Sequence, residues 1–347
     1  MFTSLRVTGF RAFKNLSVER LARVNLFVGS NNWGKTSLLE AVEVLAGRGG
    51  MRSVLAGPMR RQETMGRDGA RVVVRHLFHG HRLTERASFA IEATDEWNRR
   101  VEVALLRSRN DPEKSTEHRL SLVSHTLGWG EAGGGFKVRL SADDAVPTAA
   151  QDDSPAPAEA PPLHFISTEG FDPHTRFLLW DEVVLSPEEP LVLEALRIIE
   201  PKLERIAVVD REMNTGGFVL RLQDSSERLP VGNMGGGLGR LLSLAICLVR
   251  SRGGFLLIDE IDTALHYSAM FEMWQFVIAT ARRHDVQVFA TTHSLDCMYA
   301  LGELYREDPS IQPDVLLHRI NKDREQTTIY TANELPIIAS DRIEVRG

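Results

Sequence analysis

Phe255-Leu256-Leu257-Ile258-Asp259-Glu260 is the segment from which the fold is most readily inferred. Four consecutive apolar residues followed at once by two acids are typical of a strand that is buried on both faces of a parallel sheet. Ligands of such sheets bind beyond the carboxyl ends of the strands, where both carboxylates would lie. The segment therefore predicts an α/β fold with a site at this edge. The alternative is a strand that ends in a solvated acidic turn.

The chain continues from this strand with the pattern of a βαβ unit. Residues 265–283 have helical spacing of apolar residues, and Val286–Ala290 is a second apolar strand that runs into Thr291-Thr292-His293-Ser294. A histidine at the end of that strand could donate a hydrogen bond to the γ-phosphate of a nucleotide. The alternative for His293 is a polar residue that caps the strand.

A phosphate-binding pattern lies near the N-terminus, between a strand at 23–28 and a helix at 35–46. Gly29-Ser30-Asn31-Asn32-Trp33-Gly34-Lys35-Thr36 matches GxxxxGK[ST], in which loop N–H groups and the helix N-terminus surround phosphates. The alternative, a chance match in a glycine-bearing turn, lacks this context of strand and helix. The residues predicted to bind ATP here are Gly29, Asn31, Asn32, Gly34, Lys35, Thr36 and Ser37.

These segments together predict the chemistry of ATP hydrolysis. Lys35 would contact the β- and γ-phosphates, while Thr36 and Asp259 would hold Mg²⁺. Glu260 would be the general base that polarises the attacking water. The predicted catalytic residues are therefore Glu260, His293 and Lys35.

Three further features suggest a second subunit. The glycine run Val231–Arg240 opens an apolar helix at Leu238–Val249, and Asn233, Gly235 and Gly237 are predicted to contact the γ-phosphate of a partner's ATP. The alternative is a flexible glycine hinge. Asp262 is assigned a loop role at a dimer interface. His266 is either a helix-start residue that touches the opposing subunit or a packed histidine.

The remaining sequence divides into segments of different character. From about 50 to 140, short alternating strands predict an antiparallel lobe inserted after the first helix. Residues 141–162 hold five prolines and five acids and no basic residue, which predicts disorder. A helix at 188–206, broken at Pro201, precedes a β-rich stretch at 217–222. The predicted boundaries are 1–50 (N-terminal ATPase core), 51–140 (β lobe), 141–162 (disordered loop), 163–230 (helical and β lobe) and 231–347 (C-terminal ATPase core).

Composition limits the partners. The formal net charge of −6 and the pI of about 6.0 exclude a general electrostatic attraction to DNA or acidic membranes. Residues 48–75 are an exception, because they hold seven arginines and only two acids. This stretch would be the place for DNA contact, and the alternative is a solvated arginine-rich face. Two cysteines without a CxxC motif, no signal peptide and no long apolar run predict a cytoplasmic protein without a membrane partner.

The order of these motifs resembles that of ABC-type ATPases of the SMC, RecF and OLD group. Leu256–Ser268, Val286–Ser294 and Ile343–Arg346 look like the LLIDEIDTGLHYS, VQVFATTHS and IEVR marks of stand-alone bacterial AAA-family ATPases related to OLD nucleases. The chain departs from that pattern at Asn233, where relatives resemble SMGDGM, and at Ala264, where they carry glycine. No glutamine is convincing as a Q-loop residue.

The resemblance implies an α/β fold, an ABC-type P-loop ATPase head with a mixed central sheet, an inserted antiparallel β lobe and a helical lobe. It also implies a regulatory ATPase with ATP and Mg²⁺ as cofactors, which forms a homodimer or higher oligomer and controls a separate effector in defence against phage or foreign DNA. We expect no Toprim nuclease domain before Gly347, so a separate chain would supply any nuclease. The alternative is a RecF- or SMC-like ATPase that clamps DNA directly in repair.

Overall fold

The computed structural model describes residues 1–84, 87–96, 98–107, 120–129, 135–141, 144–148, 160–171, 173–209, 217–223, 225, 227–321, 324–331 and 334, with the backbone alone at 68, 107, 173 and 174. The chain divides into two compact units. Unit 1 comprises residues 1–21, 30–161 and 320–328, and unit 2 comprises residues 22–29, 162–319 and 329–347. The predicted IEVR match at 343–346 lies outside the described residues.

Strands and helices alternate along unit 2, whereas unit 1 is formed mainly by strands. The strands are β1 Ser4–Phe10, β2 Phe13–Val18, β3 Val24–Val28, β4 Thr64–Met65, β5 Arg71–Val73, β6 Ser88–Thr94, β7 Arg99–Arg107, β8 Leu120–Leu127, β9 Lys137–Arg139, β10 Ala145–Pro147, β11 Leu163–Ile166, β12 Leu203–Val209, β13 Gly217–Leu222, β14 Leu229–Pro230, β15 Phe255–Ile258, β16 Gln287–Thr291, β17 Val315–Arg319 and β18 Thr328–Tyr330. The helices are α1 Lys35–Ala46, α2 Met51–Arg60, α3 Pro173–Asp181, α4 Glu189–Arg197, α5 Gly236–Arg250, α6 Met270–His284 and α7 Leu295–Glu307.

Unit 1 is built on an antiparallel sheet in the order β2-β1-β6-β7-β8-β9. Its apolar face is seen in β1 and β6, where alternate residues are buried, as at Leu5 and Val7. The prediction of a β lobe inserted after the first helix is wrong in one respect, since β1 and β2 precede that helix and belong to the same sheet. The cause is the pairing of β1 with β6, which places Val7 opposite Ile91. Helix α2 and strand β8 were not predicted.

Unit 2 contains the predicted parallel sheet, in the order β11-β15-β16-β3-β17-β18. The pairings that join β11, β15, β16, β3 and β17 are all parallel. Every residue of β3, β15 and β16 is buried, which explains why these strands are predominantly apolar. Helices α5, α6 and α7 share one core with this sheet, in which Trp274 is fully buried. No described helix is long and apolar enough to cross a bilayer.

Two helix predictions were wrong at their ends. The helix expected at 265–283 begins at Met270, because a short 3-10 helix at Tyr267–Ala269 precedes it. The helix expected at 188–206 ends at Arg197, and the residues after Pro201 form β12, which pairs with β13. Leu203 and Ile206 of β12 are buried in the core of unit 2, so tertiary packing determines this segment.

Part of the segment predicted to be disordered is a strand. Within residues 141–162, Ala145–Pro147 form β10 and pair with β5, and both Ala145 and Val146 are fully buried. The acidic and proline-rich composition of the whole segment masks this short apolar run. Residues 149–159, which hold two of the five prolines and three of the five acids, lie outside the described residues.

Replacing residues 149–159 with a Gly/Ser sequence of equal length should leave the free energy of unfolding unchanged. Extending the replacement to Ala145–Pro147 should cost about 2–3 kcal/mol, mainly through the lost burial of Val146. Thermal and urea unfolding of the two variants measure the difference, and equal stabilities would contradict the role of β10.

Candidate functional site

The predicted phosphate loop joins β3 of unit 2 to α1 of unit 1, with the boundary between Gly29 and Ser30. Gly34 is left-handed at φ 91°, and a Cβ there would lie 2.6 Å from the Phe13 ring, so only glycine fits. The Lys35 ammonium is largely buried and donates to the Ser30 carbonyl at 3.1 Å. The lysine is thus held inside its own loop, where an incoming phosphate would replace the carbonyl as its partner.

The other predicted ligands of this loop occupy different environments. Asn31 and Asn32 are exposed, and Asn32 is left-handed at φ 63°. Thr36 is in the first turn of α1 and is partly exposed. Ser37 is buried, and its hydroxyl accepts a hydrogen bond from the Arg61 guanidinium at 3.4 Å, so this side chain has a polar partner within unit 1.

In unit 2, the carboxyl ends of β15 and β16 bring Asp259, Glu260 and Thr291 together. The Thr291 hydroxyl donates to Asp259 Oδ1 at 2.6 Å and accepts the Glu260 N–H at 2.9 Å. Asp259 and Thr291 are buried, so one hydroxyl fixes both the carboxylate of the first acid and the backbone of the second. Carboxylate oxygens are the ligands that Mg²⁺ prefers, so the orientation of Asp259 fits the predicted metal role.

Glu260 and His293 also meet. His293 Nδ1 is 3.2 Å from Glu260 Oε1, and the Thr263 hydroxyl is 3.4 Å from Glu260 Oε2. The Glu260 backbone is left-handed at φ 51°, which is uncommon for a residue with a Cβ. Both side chains are partly exposed, at 33% and 50%, so water and substrate can reach them.

Arg240 of α5 joins the glycine run to this pair of acids. Its guanidinium donates to the main-chain carbonyls of Asp259 at 2.7 Å and Glu260 at 2.9 Å, and to that of Ser167 at 2.5 Å. Burial lowers the pKa of Arg240, while the charges of Asp259, Asp262 and Glu260 oppose that shift. Even so, a guanidinium stays protonated. Its hydrogen bonds therefore anchor α5 to the backbone that carries Asp259 and Glu260.

The loop after Glu260 is held within the chain. Asp262 Oδ1 accepts the Thr292 hydroxyl at 2.5 Å, so the residue predicted to lie at a dimer interface has an internal partner. Ala264 is left-handed at φ 63°, which accounts physically for glycine at this position in relatives. His266 is exposed and caps the 3-10 helix by accepting the Ser268 N–H, so it is the helix-start residue and not a packed histidine.

The glycine run has two parts with different roles. Gly237 packs so closely that an added Cβ would lie 2.8 Å from the Ala264 carbonyl oxygen. Gly235 is left-handed at φ 85° with open space around it, and Asn233 is exposed. Helix α5 starts at Gly236, two residues before the predicted Leu238. The run is therefore an ordered helix entrance, with Gly237 serving contacts inside the subunit.

Thr291, Thr292 and Arg240 were not assigned roles from the sequence. The two threonines lie within the quoted Phe289–Ser294 segment, but threonine at the end of a strand is too common to signal a function. Arg240 did carry a signal, because it is a charged residue among the apolar positions of a buried helix.

The arginine-rich stretch is partly neutralised inside unit 1. Arg61 Nε is 2.7 Å from Glu40 Oε1, and Arg60 pairs with Glu43, so two of the seven arginines bind acids of α1. Glu40 also binds Arg11 at 2.5 Å. Arginines 52, 67 and 75 are exposed. The stretch is thus less basic than its own composition indicates.

The parallel sheet, the GxxxxGK[ST] loop and the acid pair define the class of protein, an ATPase of the AAA and ABC type. Residues 24–296 match the family described as "AAA domain, putative AbiEii toxin, Type IV TA system", and the chain belongs to this family.

Two individual proteins have sequences similar to this chain. An "ATP/GTP phosphatase" of Helicobacter pylori is 22% identical over 341 residues, which cover 88% of this chain and 89% of that protein. The DNA replication and repair protein RecF of Heliobacterium modesticaldum is 36% identical over 87 residues, 23% of either chain.

Solved structures of SMC heads share the fold. An SMC head bound to the C-winged helix domain of ScpA gives a TM-score of 0.50 at 14% identity, covering 95% of this chain and 96% of the other. An SMC head with an extended coiled coil, bound to the C-terminal domain of ScpA derived from Pyrococcus furiosus, gives 0.51 at 12% identity, covering 99% of each chain. The prediction of an ABC-type ATPase head is confirmed.

The Thr291 hydroxyl provides a test of the acid pair. Thr291→Val keeps the shape and removes both hydrogen bonds, and a bond to a charged group contributes about 1.5–3 kcal/mol. We expect kcat to fall about 10- to 100-fold, with little change in ATP affinity. Thr292→Val is the matched control, because it removes the neighbouring hydroxyl with its bonds to Asp262 and the Ser294 N–H and leaves the bridge to Asp259 intact, so kcat should fall less than in Thr291→Val. A Thr291→Val enzyme with kcat within twofold of wild type would show that the bridge is not needed.

Proposed function

We propose that this ATPase is a regulatory switch that dimerises with ATP and controls a separate effector protein. The observation that carries the proposal is the contact between Glu260 and His293 beside an Asp259 held by Thr291. A carboxylate fixed for a metal, a second carboxylate open to water and a histidine in contact with it are the groups that ATP hydrolysis requires.

Each group has a defined task in this proposal. Lys35 and the loop Gly29–Thr36 bind the triphosphate, with Lys35 exchanging the Ser30 carbonyl for phosphate oxygens. Thr36 and Asp259 would supply oxygen ligands to Mg²⁺, and the ion would neutralise phosphate charge. Glu260 polarises the attacking water. His293 releases Glu260 to donate to the γ-phosphate, so that the pair distinguishes ATP from ADP.

Two substitutions separate binding from hydrolysis. Glu260→Gln removes the general base and retains a group that can contact His293, so ATP should bind normally and kcat should fall by at least 100-fold. Lys35→Ala should abolish tight ATP binding, because the phosphates lose their main cation. Nucleotide affinity and phosphate release measure the two effects. Unchanged affinity in a folded Lys35→Ala variant, or turnover within twofold of wild type in Glu260→Gln, would contradict the assignments.

Dimerisation is proposed from the glycine run. Gly235 and Asn233 are exposed at the N-terminus of α5, where N–H groups and the helix dipole favour an anion. An ATP bound by a partner subunit would supply that anion across a two-fold interface. Arg240 would then transmit the contact to the backbone of Asp259 and Glu260.

A charge at Gly235 tests the shared site. In a Glu260→Gln background, light scattering with Mg-ATP should show association, and Gly235→Glu should abolish it through repulsion of the partner's triphosphate. Gly235→Gln is the matched control, because it imposes the same left-handed backbone strain without charge. We expect Gly235→Gln to associate measurably better than Gly235→Glu. Equal association of the two variants, or hydrolysis independent of protein concentration, would exclude a shared site.

The effector is proposed from the relatives. The family description names a toxin of a type IV toxin–antitoxin system, and the similar SMC heads are bound to ScpA domains. We propose an analogous protein partner here, such as a Toprim-type nuclease acting in defence against phage or foreign DNA. Both cysteines are buried free thiols, which suits a reducing cytoplasm.

The second candidate function is a DNA clamp of the RecF kind. The similarity to RecF over 87 residues favours it, and the exposed arginines 52, 67 and 75 would make the contact. The ion pairs of Arg60 and Arg61 with α1 weaken it. DNA binding by the protein alone, falling steeply with salt, would favour the clamp over the effector switch.

A further inference from the structure

A histidine tract in unit 1 takes no part in the ATPase chemistry. His76, His79 and His81 fall within six residues, in Arg75-His76-Leu77-Phe78-His79-Gly80-His81-Arg82. Two short 3-10 helices, Arg75–Leu77 and His79–His81, form this tract. Short histidine-rich tracts are a common composition of metal-binding segments.

The tract holds two of its imidazoles face to edge. His76 Nδ1 and His81 Nδ1 are 3.3 Å apart, and the ring centroids are 5.0 Å apart with the planes at 66°. Gly80 and His81 are both left-handed, at φ 77° and 57°, and the His81 N–H donates to the Phe78 carbonyl at 3.0 Å. This tight turn fixes His81 opposite His76.

The spacing of the two nitrogens suits a metal ion. Two imidazole nitrogens bound to one tetrahedral ion at about 2.0–2.1 Å are about 3.3 Å apart. We propose that His76 and His81 form a binding site for a borderline transition-metal dication such as Zn²⁺. Within the described residues no group of three His, Cys, Asp or Glu side chains has metal-site spacing, so water would complete the coordination sphere.

The surrounding charges select among cations. Glu63 attracts a cation at His76, while Arg75 and Arg11 repel one. Glu63 is also paired with Arg11 at 2.9 Å, so its attraction is partly cancelled. Electrostatics alone therefore does not hold an ion here, and only ions with a strong preference for imidazole nitrogen will bind. That preference favours Zn²⁺, Cu²⁺ and Ni²⁺ and excludes the Mg²⁺ that accompanies ATP.

The tract is fastened to the turn that supports the phosphate loop. The Arg11 N–H donates to the Leu77 carbonyl at 2.9 Å, Phe10 pairs with Phe78 as an isolated bridge, and His79 Nδ1 is 3.0 Å from the Arg11 carbonyl oxygen. Two residues further along, Phe13 packs against Gly34. An ion at His76 and His81 would restrain this turn, and the site is a candidate for regulation of the ATPase.

The experiment uses the full-length protein without a polyhistidine tag, in nucleotide-free buffer containing millimolar Mg²⁺. Calorimetric titration with ZnCl₂ should show one equivalent that His76→Ala and His81→Ala each remove. His125→Ala, an exposed histidine of β8 in the same unit, is the matched control and should retain that equivalent. Cu²⁺ at the site should give an electron paramagnetic resonance spectrum with hyperfine coupling to two imidazole nitrogens, which either substitution would reduce.

Three results would overturn the proposal. They are the absence of Zn²⁺ binding, a stoichiometry that is unchanged in His76→Ala and His81→Ala, and a Cu²⁺ spectrum without nitrogen coupling that depends on these residues. In each case the contact between His76 and His81 would be an N–H···N hydrogen bond and not a metal site. Far-UV circular dichroism shows whether each variant is folded. If His76→Ala does not fold, His81→Ala alone tests the site, because His81 is exposed and its loss should not disturb the core. The Zn²⁺ titration does not require ATP binding by Lys35. A negative result would therefore leave the ATPase proposal untouched, and failure of the ATPase tests would leave the metal site untouched.

Discussion

The register between β15 and β16 is the constraint on which the acid site depends. Ile258 pairs with Ala290, so the next residues along, Asp259 and Thr291, lie side by side where the strands end. Both strands are buried on both faces, and their backbone groups are satisfied by neighbouring strands. A slip by one residue would turn the Thr291 hydroxyl away from Asp259. The position of one hydroxyl therefore follows from the pairing of two apolar strands.

Backbone strain is concentrated beside this register. Glu260 and Ala264 are both left-handed, and a residue with a Cβ in that region costs about 1–2 kcal/mol. Two contacts offset this conformational cost. Arg240 donates to the carbonyls of Asp259 and Glu260, and the Thr292 hydroxyl donates to Asp262. Such strain persists only where the surroundings over-determine it, and it is commonly found at functional sites. The loop is therefore held in a shape that its own sequence would not adopt.

The sequence predicted those elements whose signal is local. The apolar runs of β3 and β15, the helix at 35–46 and the GxxxxGK[ST] spacing each carry their own pattern, and the structure has them at the predicted positions. Predictions failed where packing decides. Strand β12 followed a helical pattern, β10 was hidden in an acidic stretch, and β1 pairs on one side with β6, which comes much later in the chain. Arg240 and Thr291 gained their roles only from contacts between distant residues, which no spacing rule reports.

The place of β3 in its sheet has a consequence for biosynthesis. Val24 pairs with both Val288 and Val315, so this central strand waits for neighbours that are made 264 (288 − 24) and 291 (315 − 24) residues later. At synthesis rates of about 5–20 residues per second, the delay is on the order of 15–60 s. During that interval the sequence Val24–Val28 is an unpaired apolar strand in the nascent chain, and its late contacts give slow folding. Recovery of this protein from cells will accordingly depend on translation rate and on chaperones that bind extended apolar segments.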